Sequence, residues 1–301
     1  MQFNKQSRRA LCAVFLALLG AGSASGGEIL EAIRSSGRMT LGYRANAVPF
    51  SWRQQDGQVV GYAIETCQHL AAAIQLHLQL PSLQVRYVPV RPAERTRFIV
   101  DRRIDMECGV TTNTPERRKR VAMGLTYFYA GARLLVREGE GIASLQDMKG
   151  KKLGLIKGTT GEQVLQKHQR QHTDTWTVQL FDNTQAAVAA LEQGHINGVM
   201  TDDIQLLVHA RRSPWNLQLV GPTLSIEPLT LLFNKQDQEL TRLVKDEMKR
   251  LYHSGAMRQM YQRWFNAPLP ELGYSLDWPP GRLLDDNFKR PSAYVADWVM
   301  L

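Results

Sequence analysis

The feature of the sequence that most constrains its fold is a regular alternation of strand-like and helix-like segments. "MTLGYR" (39–44) and "LQVRYVPV" (83–90) have strand patterns, and "GYAIETCQHLAAAIQ" (61–75) between them has helical apolar spacing. The alternation continues in predicted strands 104–109, 132–138, 151–156, 177–181, 196–201 and 229–234 and predicted helices 92–102, 114–122, 159–170, 183–194 and 202–212. Residues 238–264 are predicted to form two helical segments that end near Trp264. Strands alternating with helices form mainly parallel sheets with ligand sites at strand ends. Two such series predict an α/β protein with two lobes.

The two ends of the chain lack this alternation. Three basic residues precede the apolar run "ALCAVFLALLG" (10–20), and "AGSASGG" follows it. This order predicts a secretory signal peptide over residues 1–24 and export to the periplasm, with a short membrane anchor as the alternative. The tail 266–301 is rich in proline and tryptophan and has no clear period. We expect it to form an extended strap over the surface.

The charge of the mature chain bears on its partners. The leader carries three of the 37 basic residues, so its removal lowers the net charge from +9 to +6. A moderately basic exported protein seldom meets nucleic acid, so a preference for anionic small ligands is the simpler interpretation. No metal-binding spacing of histidines and cysteines occurs, and we expect neither a metal nor another cofactor.

Two cysteines remain in the mature chain, and export permits them to pair. Cys67 lies on the apolar face of a predicted helix, and Cys108 ends a predicted strand. Free buried cysteine is common in protein cores. We therefore favour unpaired cysteines, with a disulfide as the alternative.

Several segments in a fixed order resemble the extracytoplasmic amino-acid-binding proteins of ABC importers, which are the bacterial solute-binding proteins of family 3. The similarity is greatest to the glutamate/aspartate-binding branch and covers essentially the whole mature chain. The segments are "GYRANAVPFSW" (42–52), "GQVVGYAIETCQHLAAAI" (57–74), "IDMECGVTTNTPERRKR" (104–120), "MKGKKLGLIKGTTGE" (148–162), "LEQGHINGVMTDD" (191–203) and "MYQRWF" (260–265).

The resemblance implies a two-lobed type II periplasmic-binding-protein fold. Lobe 1 would comprise residues 28–128 and 229–301, and lobe 2 residues 130–227. Two hinge strands would pass near Tyr129 and Glu227, and the ligand would lie in the cleft between the lobes.

"GVTTNTPERRKR" carries the strongest candidate for a carboxylate-binding residue. Thr114 and the proline after it predict a helix start. Arg117, in the first turn of that helix, matches the family's carboxylate-binding arginine, and a planar guanidinium suits a carboxylate. By the same resemblance the hydroxyl of Thr112 joins it, and the backbone of Val110 meets the ligand's ammonium group. We expect residues 118–120 to face solvent.

The second lobe supplies two further candidates. "KGTTGE" places Thr159 and Thr160 at a helix N-terminus, where free N–H groups attract a carboxylate. We expect these threonines both to cap the helix and to bind ligand. Asp202 matches the family's ammonium-binding aspartate, with a plain N-cap as the alternative. Asp203 is expected in the first turn of the helix that follows.

Specificity for the ligand side chain is assigned by the resemblance to Arg44 and Arg95, which match arginines near the distal carboxylate in the acidic branch. Phe50 is a candidate apolar wall, with ordinary core packing as an equal alternative. Three positions depart from the branch: Pro92 and Val110 replace serines, and Thr184 replaces a histidine near the cleft. The resemblance predicts an acidic amino acid as the ligand, and these departures leave a different anionic amino acid or a larger dicarboxylate as the alternatives.

The function implied by the resemblance is a monomeric periplasmic binding protein. It would capture its ligand by hinge closure and present it to the membrane subunits of an ABC permease. One alternative is an exported enzyme similar to cyclohexadienyl dehydratase, for which Glu107 and Glu162 are the candidate acid/base groups. Another is a sensor that presents the ligand to a receptor.

Overall fold

The computed structural model describes residues 27–171 and 175–293. The predicted signal peptide lies outside this range. The strands, in chain order, are β1 (Arg38–Tyr43), β2 (Asn46–Ala47), β3 (Ser51–Arg53), β4 (Val59–Val60), β5 (Gln84–Pro89), β6 (Met106–Thr112), β7 (Ala122–Met123), β8 (Phe128–Ala130), β9 (Ala132–Arg137), β10 (Lys152–Ile156), β11 (Thr177–Phe181), β12 (Gly198–Asp202), β13 (Leu217–Val220) and β14 (Glu227–Phe233).

The helices cover most of the segments that helical spacing predicts. In chain order they are α1 (Glu28–Ser36), α2 (Tyr62–His77), α3 (Arg95–Val100), α4 (Pro115–Arg118), α5 (Gly161–Gln171), α6 (Thr184–Glu192), α7 (Asp203–Arg212), α8 (Gln238–His253), α9 (Ala256–Tyr261) and α10 (Arg282–Lys289). A 3₁₀ turn at Gln146–Met148 and a π-helical turn at Gln262–Asn266 complete the described helical structure. Of the helices in the described residues, none has the length and apolar composition needed to span a bilayer.

The first sheet has six strands in the order β5-β1-β6-β14-β7, with β8 also paired to β14. Its centre is parallel, because β1 pairs in parallel with both β5 and β6, whereas β14 runs antiparallel to β6. Every residue of β6 and β14 is buried, as expected for central strands covered on both faces. Aromatic side chains dominate the adjoining core and include Tyr62, Tyr127, Phe128, Tyr261 and Phe265.

The second sheet has five strands in the order β11-β10-β12-β9-β13. Separate hydrophobic clusters pack around it, one including Leu153 and Leu155 and the other Leu135 and Val199. The chain passes from the first sheet to the second at Gly131 and returns before Glu227. At this crossing β8 and β14 pair antiparallel, with Ala130 opposite Glu227.

The structure corrects the expectation of unpaired cysteines. Cys67 and Cys108 form a disulfide, with their Cα atoms 6.2 Å apart. Helix α2 packs on strand β6 and brings the two residues, 41 positions apart in sequence, within bridging distance. Local sequence patterns cannot reveal a contact made by tertiary packing.

The described part of the C-terminal tail, residues 266–293, contains a helix where an extended strap is predicted, and the rest of the predicted strap lies outside the described residues. Residues 282–289 form α10, which buries Leu284, Asn287 and Phe288. The Asn287 side chain donates hydrogen bonds to the carbonyl of Thr126 at 2.7 Å and to the Tyr252 hydroxyl at 2.9 Å. A buried amide with two partners fixes the helix on the first core.

Two element boundaries differ near the candidate site. Strand β6 continues to Thr112, three residues beyond the predicted end, because its last residues pair with the start of β14. The helix predicted over 114–122 is a single turn, Pro115–Arg118. Its start is as predicted, since Thr114 accepts a hydrogen bond from the Arg117 amide and proline occupies the first position.

Candidate functional site

The candidate site is a cluster of three arginines and three carboxylates where the two sheets face each other. The cationic side chains are Arg44, Arg95 and Arg117, and the carboxyl groups are those of Glu107, Asp202 and Glu227. Both Arg44 and Arg95 are buried, as are Glu107 and Glu227. Charged groups are rarely buried without partners. Such a concentration of buried charge makes this region the candidate binding site.

Arg95 and Arg117 converge on one backbone oxygen from the other sheet. Arg95 donates to the carbonyl of Gly158 at 2.8 Å, and Arg117 donates to the same oxygen at 3.1 Å. Their other hydrogen bonds are made to residues at the end of β6, in the first sheet. Arg95 also donates to the Val110 carbonyl at 2.8 Å, and Arg117 to the Thr112 carbonyl at 2.8 Å. The two guanidinium groups are thus held by the end of β6 and aimed across the gap.

Close approach of the two units depends on Gly158. Its φ is +72°, and a Cβ atom there would lie 2.6 Å from the Cα and 3.0 Å from the backbone nitrogen of Ala93. Real Cβ atoms are essentially never this close to another heavy atom, so any side chain at Gly158 would force the units apart. The sequence gives a helix-start motif at this point but does not reveal its contact with Ala93.

Arg44 lies at the end of β1, next to Glu107. Its backbone N–H donates to the Ser51 hydroxyl at 2.9 Å. A Cβ atom on Gly109 would lie 2.3 Å from Oε1 of Glu107 and 2.6 Å from Cγ of Arg44, so both side chains pack over this glycine. Gly109 therefore provides the space in which the arginine and the carboxylate meet.

The electrostatics of the arginines favour an anion in the cluster. Burial, together with the positive charge of the nearby Arg95, lowers the pKa of Arg44 to about 10 and that of Arg117 to about 9. Burial also lowers the pKa of Arg95. A lowered arginine pKa means that the charged form is destabilised relative to water. An added carboxylate would relieve this destabilisation.

Asp202 ends β12 and precedes α7, and its side chain makes no capping hydrogen bond to the helix. It instead accepts from Nε2 of Gln205 at 3.4 Å. Burial, together with the negative charges of Glu227 and Asp203, raises the pKa of Asp202 to about 8. The geometry disfavours the plain N-cap alternative and leaves the carboxylate directed at the cluster. Asp203 lies in the first turn, as predicted.

Two carboxylates complete the cluster. The sequence predicts only a hinge position for Glu227 and only an acid/base role in the alternative enzyme for Glu107. Glu107 accepts from the Thr111 hydroxyl at 2.9 Å, and that hydroxyl accepts from Arg95 at 3.0 Å. Glu227 accepts from the hydroxyls of Ser225 and Thr160, each at 2.8 Å. The sequence signal that could have identified these two glutamates as site residues is weak, because a glutamate inside a strand has no distinctive pattern.

Three predicted threonines lie in the second lobe and differ in the groups to which they bond. Helix α5 begins at Gly161, just after Thr159 and Thr160. The Thr159 hydroxyl donates to the Ile156 carbonyl at 2.7 Å, within its own turn. Thr184 is buried at the start of α6 and donates to Oε1 of Gln205 at 3.3 Å. Gln205 therefore links Thr184 to Asp202.

Phe50 is fully buried, and its ring contacts Tyr127, Phe128 and Phe265. This placement favours ordinary core packing over the apolar-wall role. Within residues 27–171 and 175–293, no three histidine, cysteine, aspartate or glutamate side chains are grouped as a metal site requires.

Comparison with known proteins identifies the family. The model of the bacterial extracellular solute-binding proteins, family 3, matches residues 39–267. The chain belongs to this family. It is 29% identical over 273 residues to the glutamate/aspartate import solute-binding protein of Salmonella typhimurium, covering 90% of each chain.

Solved structures agree with this assignment. An ancestral arginine-binding protein bound to glutamine is 28% identical, with a TM-score of 0.69 over 76% of this chain and 98% of that chain. An ancestral amino-acid-binding protein, a precursor of cyclohexadienyl dehydratase, is 25% identical, with a TM-score of 0.67 over 78% and 98% of the two chains. The family and these structures confirm the predicted resemblance and the two-lobed periplasmic-binding-protein fold.

Proposed function

We propose that this protein is a periplasmic solute-binding protein that captures glutamate, aspartate or a similar acidic amino acid for an ABC importer. The observation that carries the proposal is the convergence of Arg44, Arg95 and Arg117 on one buried region that also contains Asp202. An acidic amino acid has two carboxylates and one ammonium group, and this cluster offers a partner for each. The glutamate/aspartate specificity of the Salmonella typhimurium relative supports the same class.

Each ligand group has a proposed partner. Arg117 receives the α-carboxylate, with Thr112 beside it, and Asp202 receives the ammonium group together with the Val110 carbonyl. Arg44 and Arg95 receive the distal carboxylate. Charge-assisted and bidentate hydrogen bonds of this kind are the strongest available to a polar ligand.

The hydrogen bonds that the threonines already make limit how each of them can bind the ligand. Because the hydroxyl of Thr160 donates its proton to Glu227, its oxygen can only accept a further hydrogen bond. Thr160 therefore contacts the ligand's ammonium group through its hydroxyl, or a carboxylate through its backbone N–H. Thr159 can offer the ligand only its hydroxyl oxygen as an acceptor, because its hydroxyl and its backbone N–H both donate to the Ile156 carbonyl. Thr184 acts through Gln205.

The two lobes close on the ligand because only the closed form lets the ligand contact both of them. We assign residues 28–128 and 229–301 to lobe 1 and residues 130–227 to lobe 2, with hinges near Tyr129 and Glu227. Arginines from lobe 1 and Asp202 from lobe 2 contact the same ligand only when the lobes are together. A ligand that binds the closed form better shifts the population toward it, and the permease membrane subunits recognise that form.

Export is part of the proposal. Residues 1–24 act as a cleaved signal peptide, and the mature protein functions as a monomer in the periplasm. The disulfide between Cys67 and Cys108 supports this assignment, since disulfides persist in the oxidising periplasm and are rare in the cytosol.

We propose that binding, and not catalysis, is the activity of the cluster. One observation bears on the alternative, since a structural relative is a precursor of cyclohexadienyl dehydratase and Oε1 of the buried Glu107 has no hydrogen-bond partner among the described residues. Incubation of the protein with prephenate or arogenate should yield no product. Turnover that Glu107→Gln abolishes would establish the enzyme instead.

The proposal is tested by calorimetry with matched arginine variants. Arg117→Ala should abolish detectable glutamate and aspartate binding, because it removes the α-carboxylate partner. Arg118→Ala is the control, since Arg118 occupies the same helical turn but is exposed and donates to Asn113 and Ala293. Arg95→Ala should weaken acidic ligands more than glutamine. Unchanged glutamate affinity in Arg117→Ala would refute the assignment.

A further inference from the structure

A concave surface on the side of lobe 1 has no role in the proposed ligand site. It encloses about 560 Å³ and is lined by four cationic side chains, those of Arg118, Lys235, Arg242 and Lys245. No aspartate or glutamate lines it, and the short strand β7 contributes Ala122 and Met123. We call this surface the basic groove.

The charges of the basic groove are not neutralised within the described part of the chain. None of its four cations forms an ion pair with a described carboxylate. Arg118 donates to Oδ1 of Asn113 at 2.7 Å, and Lys235 donates to the Lys119 carbonyl. These acceptors are neutral, so the positive charge stays available to a partner.

Acidic residues on the adjacent helix are already engaged elsewhere. On α8, Glu239 bonds to His77 at 2.8 Å, Asp246 pairs with Lys249 at 3.1 Å, and Glu247 pairs with Arg250 at 2.7 Å. Asp237 caps α8 and accepts from backbone amides. The basic groove is therefore a local excess of four positive charges.

One wall of the basic groove is a sheet edge. Ala122 and Met123 of β7 pair with Phe233 and Leu232 of β14 on one side. In the sheets formed by the described residues, no strand pairs with the other side of β7. A free strand edge accepts an extended segment through backbone hydrogen bonds.

We propose that the basic groove binds an extended acidic segment of a partner protein. The two cations of the groove on α8, Arg242 and Lys245, are three residues apart, which corresponds to about 4.5 Å along the helix axis. Side chains on one face of an extended chain repeat every ~7 Å. Because arginine and lysine side chains are long and flexible, they can spread over this small difference, so two alternate acidic side chains can contact them while their backbone lies along β7. The concave shape suits such a segment better than a flat membrane surface.

The part of the basic groove at β7 and α8 lies apart from the arginine cluster, and only Arg118, which follows Arg117 in α4, comes close to it. Strand β7 pairs with the end of β14 that contains Phe233, whereas Glu227 begins that strand. Six residues of an extended strand span about 20 Å. Occupation of the groove should therefore not require the amino-acid ligand, and the two proposals can fail independently.

The test uses a fluorescent octapeptide of alternating glutamate and valine, titrated with the full mature protein by fluorescence anisotropy. Arg242→Glu with Lys245→Glu should weaken its binding by about tenfold or more, because like charges then face each other. Lys149→Glu with Lys152→Glu is the control, because it changes the net charge equally at exposed positions on lobe 2. If the glutamate variants misfold by circular dichroism, Arg242→Ala with Lys245→Ala replaces them.

Four results would overturn the proposal. Equal loss of binding in both double variants would show that net charge alone attracts the peptide. Tighter binding after deletion of residues 294–301 would assign the groove to the chain's own C-terminal residues. Groove-dependent binding to phosphatidylglycerol vesicles without peptide binding would assign it to a membrane. Absence of peptide binding at 50 mM salt would remove the docking role. The proposal is supported if only the groove variant loses peptide binding and if saturating L-glutamate leaves peptide binding by the wild-type protein unchanged.

Discussion

Replacement of Gly158 by alanine tests whether closure depends on the contact between the two lobes. The new Cβ would lie 2.6 Å from the Cα of Ala93, whereas ordinary contact begins at 3.4 Å. The lobes would have to separate by nearly 1 Å, which breaks at least one of the hydrogen bonds from Arg95 and Arg117 to the Gly158 carbonyl. Loss of one hydrogen bond to a charged group costs about 1.5–3 kcal/mol. The dissociation constant for glutamate should therefore rise roughly 10- to 100-fold.

Gly150 provides a matched control for this experiment. Its φ is also +72°, but a Cβ there would meet no heavy atom within 4 Å. Both alanine variants carry the same left-handed backbone cost of about 1–2 kcal/mol, so their melting temperatures should fall by similar amounts. Only Gly158→Ala should lose glutamate affinity by calorimetry. Equal affinities in the two variants would refute the closure argument.

Three further outcomes are expected. Because the folded-state pKa of Asp202 is raised from 3.8 to about 8, the stability of the ligand-free protein should fall as pH rises from the unfolded toward the folded pKa and level off above it. Asp202→Asn should flatten that dependence in thermal melts from pH 5 to 9. Reduction of the disulfide between Cys67 and Cys108, which closes a span of 41 positions, should lower the free energy of unfolding by about 4 kcal/mol in urea titrations. Asn287→Ala should lower the free energy of unfolding by about 1–3 kcal/mol in the same assay, because the Thr126 carbonyl and the Tyr252 hydroxyl lose a buried hydrogen bond. An unchanged midpoint of the urea titration would show that α10 does not stabilise the first core.

The alternation of strands and helices is predictable from sequence because each long element has its own apolar period. Strands β1, β5 and β10 and helices α2, α6 and α8 lie close to their predicted positions. Strands β2, β4 and β7 have only two residues each and cannot show a period. Helix α10 was missed because proline-rich segments flank it, and the disulfide was missed because it depends on packing of α2 against β6.

In the candidate site, too, the features set by local sequence were predictable and the contacts between the lobes were not. The start of α4 after Thr114 is a local signal, and it places Arg117 correctly in the first turn. The shared carbonyl of Gly158 is 41 residues from Arg117 and belongs to the other lobe. Glu107 and Glu227 lie in buried strands whose apolar neighbours give no indication of a polar network. Contacts across the lobes are properties of the fold and not of any short segment.

The most direct test of the proposed function is calorimetric titration of the mature wild-type protein with L-glutamate, L-aspartate, L-glutamine and L-arginine. The arrangement of Arg44, Arg95, Arg117 and Asp202 predicts saturable one-to-one binding of an acidic amino acid, with weaker binding of glutamine and none of arginine. Binding of arginine or a neutral amino acid, with no heat from glutamate or aspartate, would contradict the assignment.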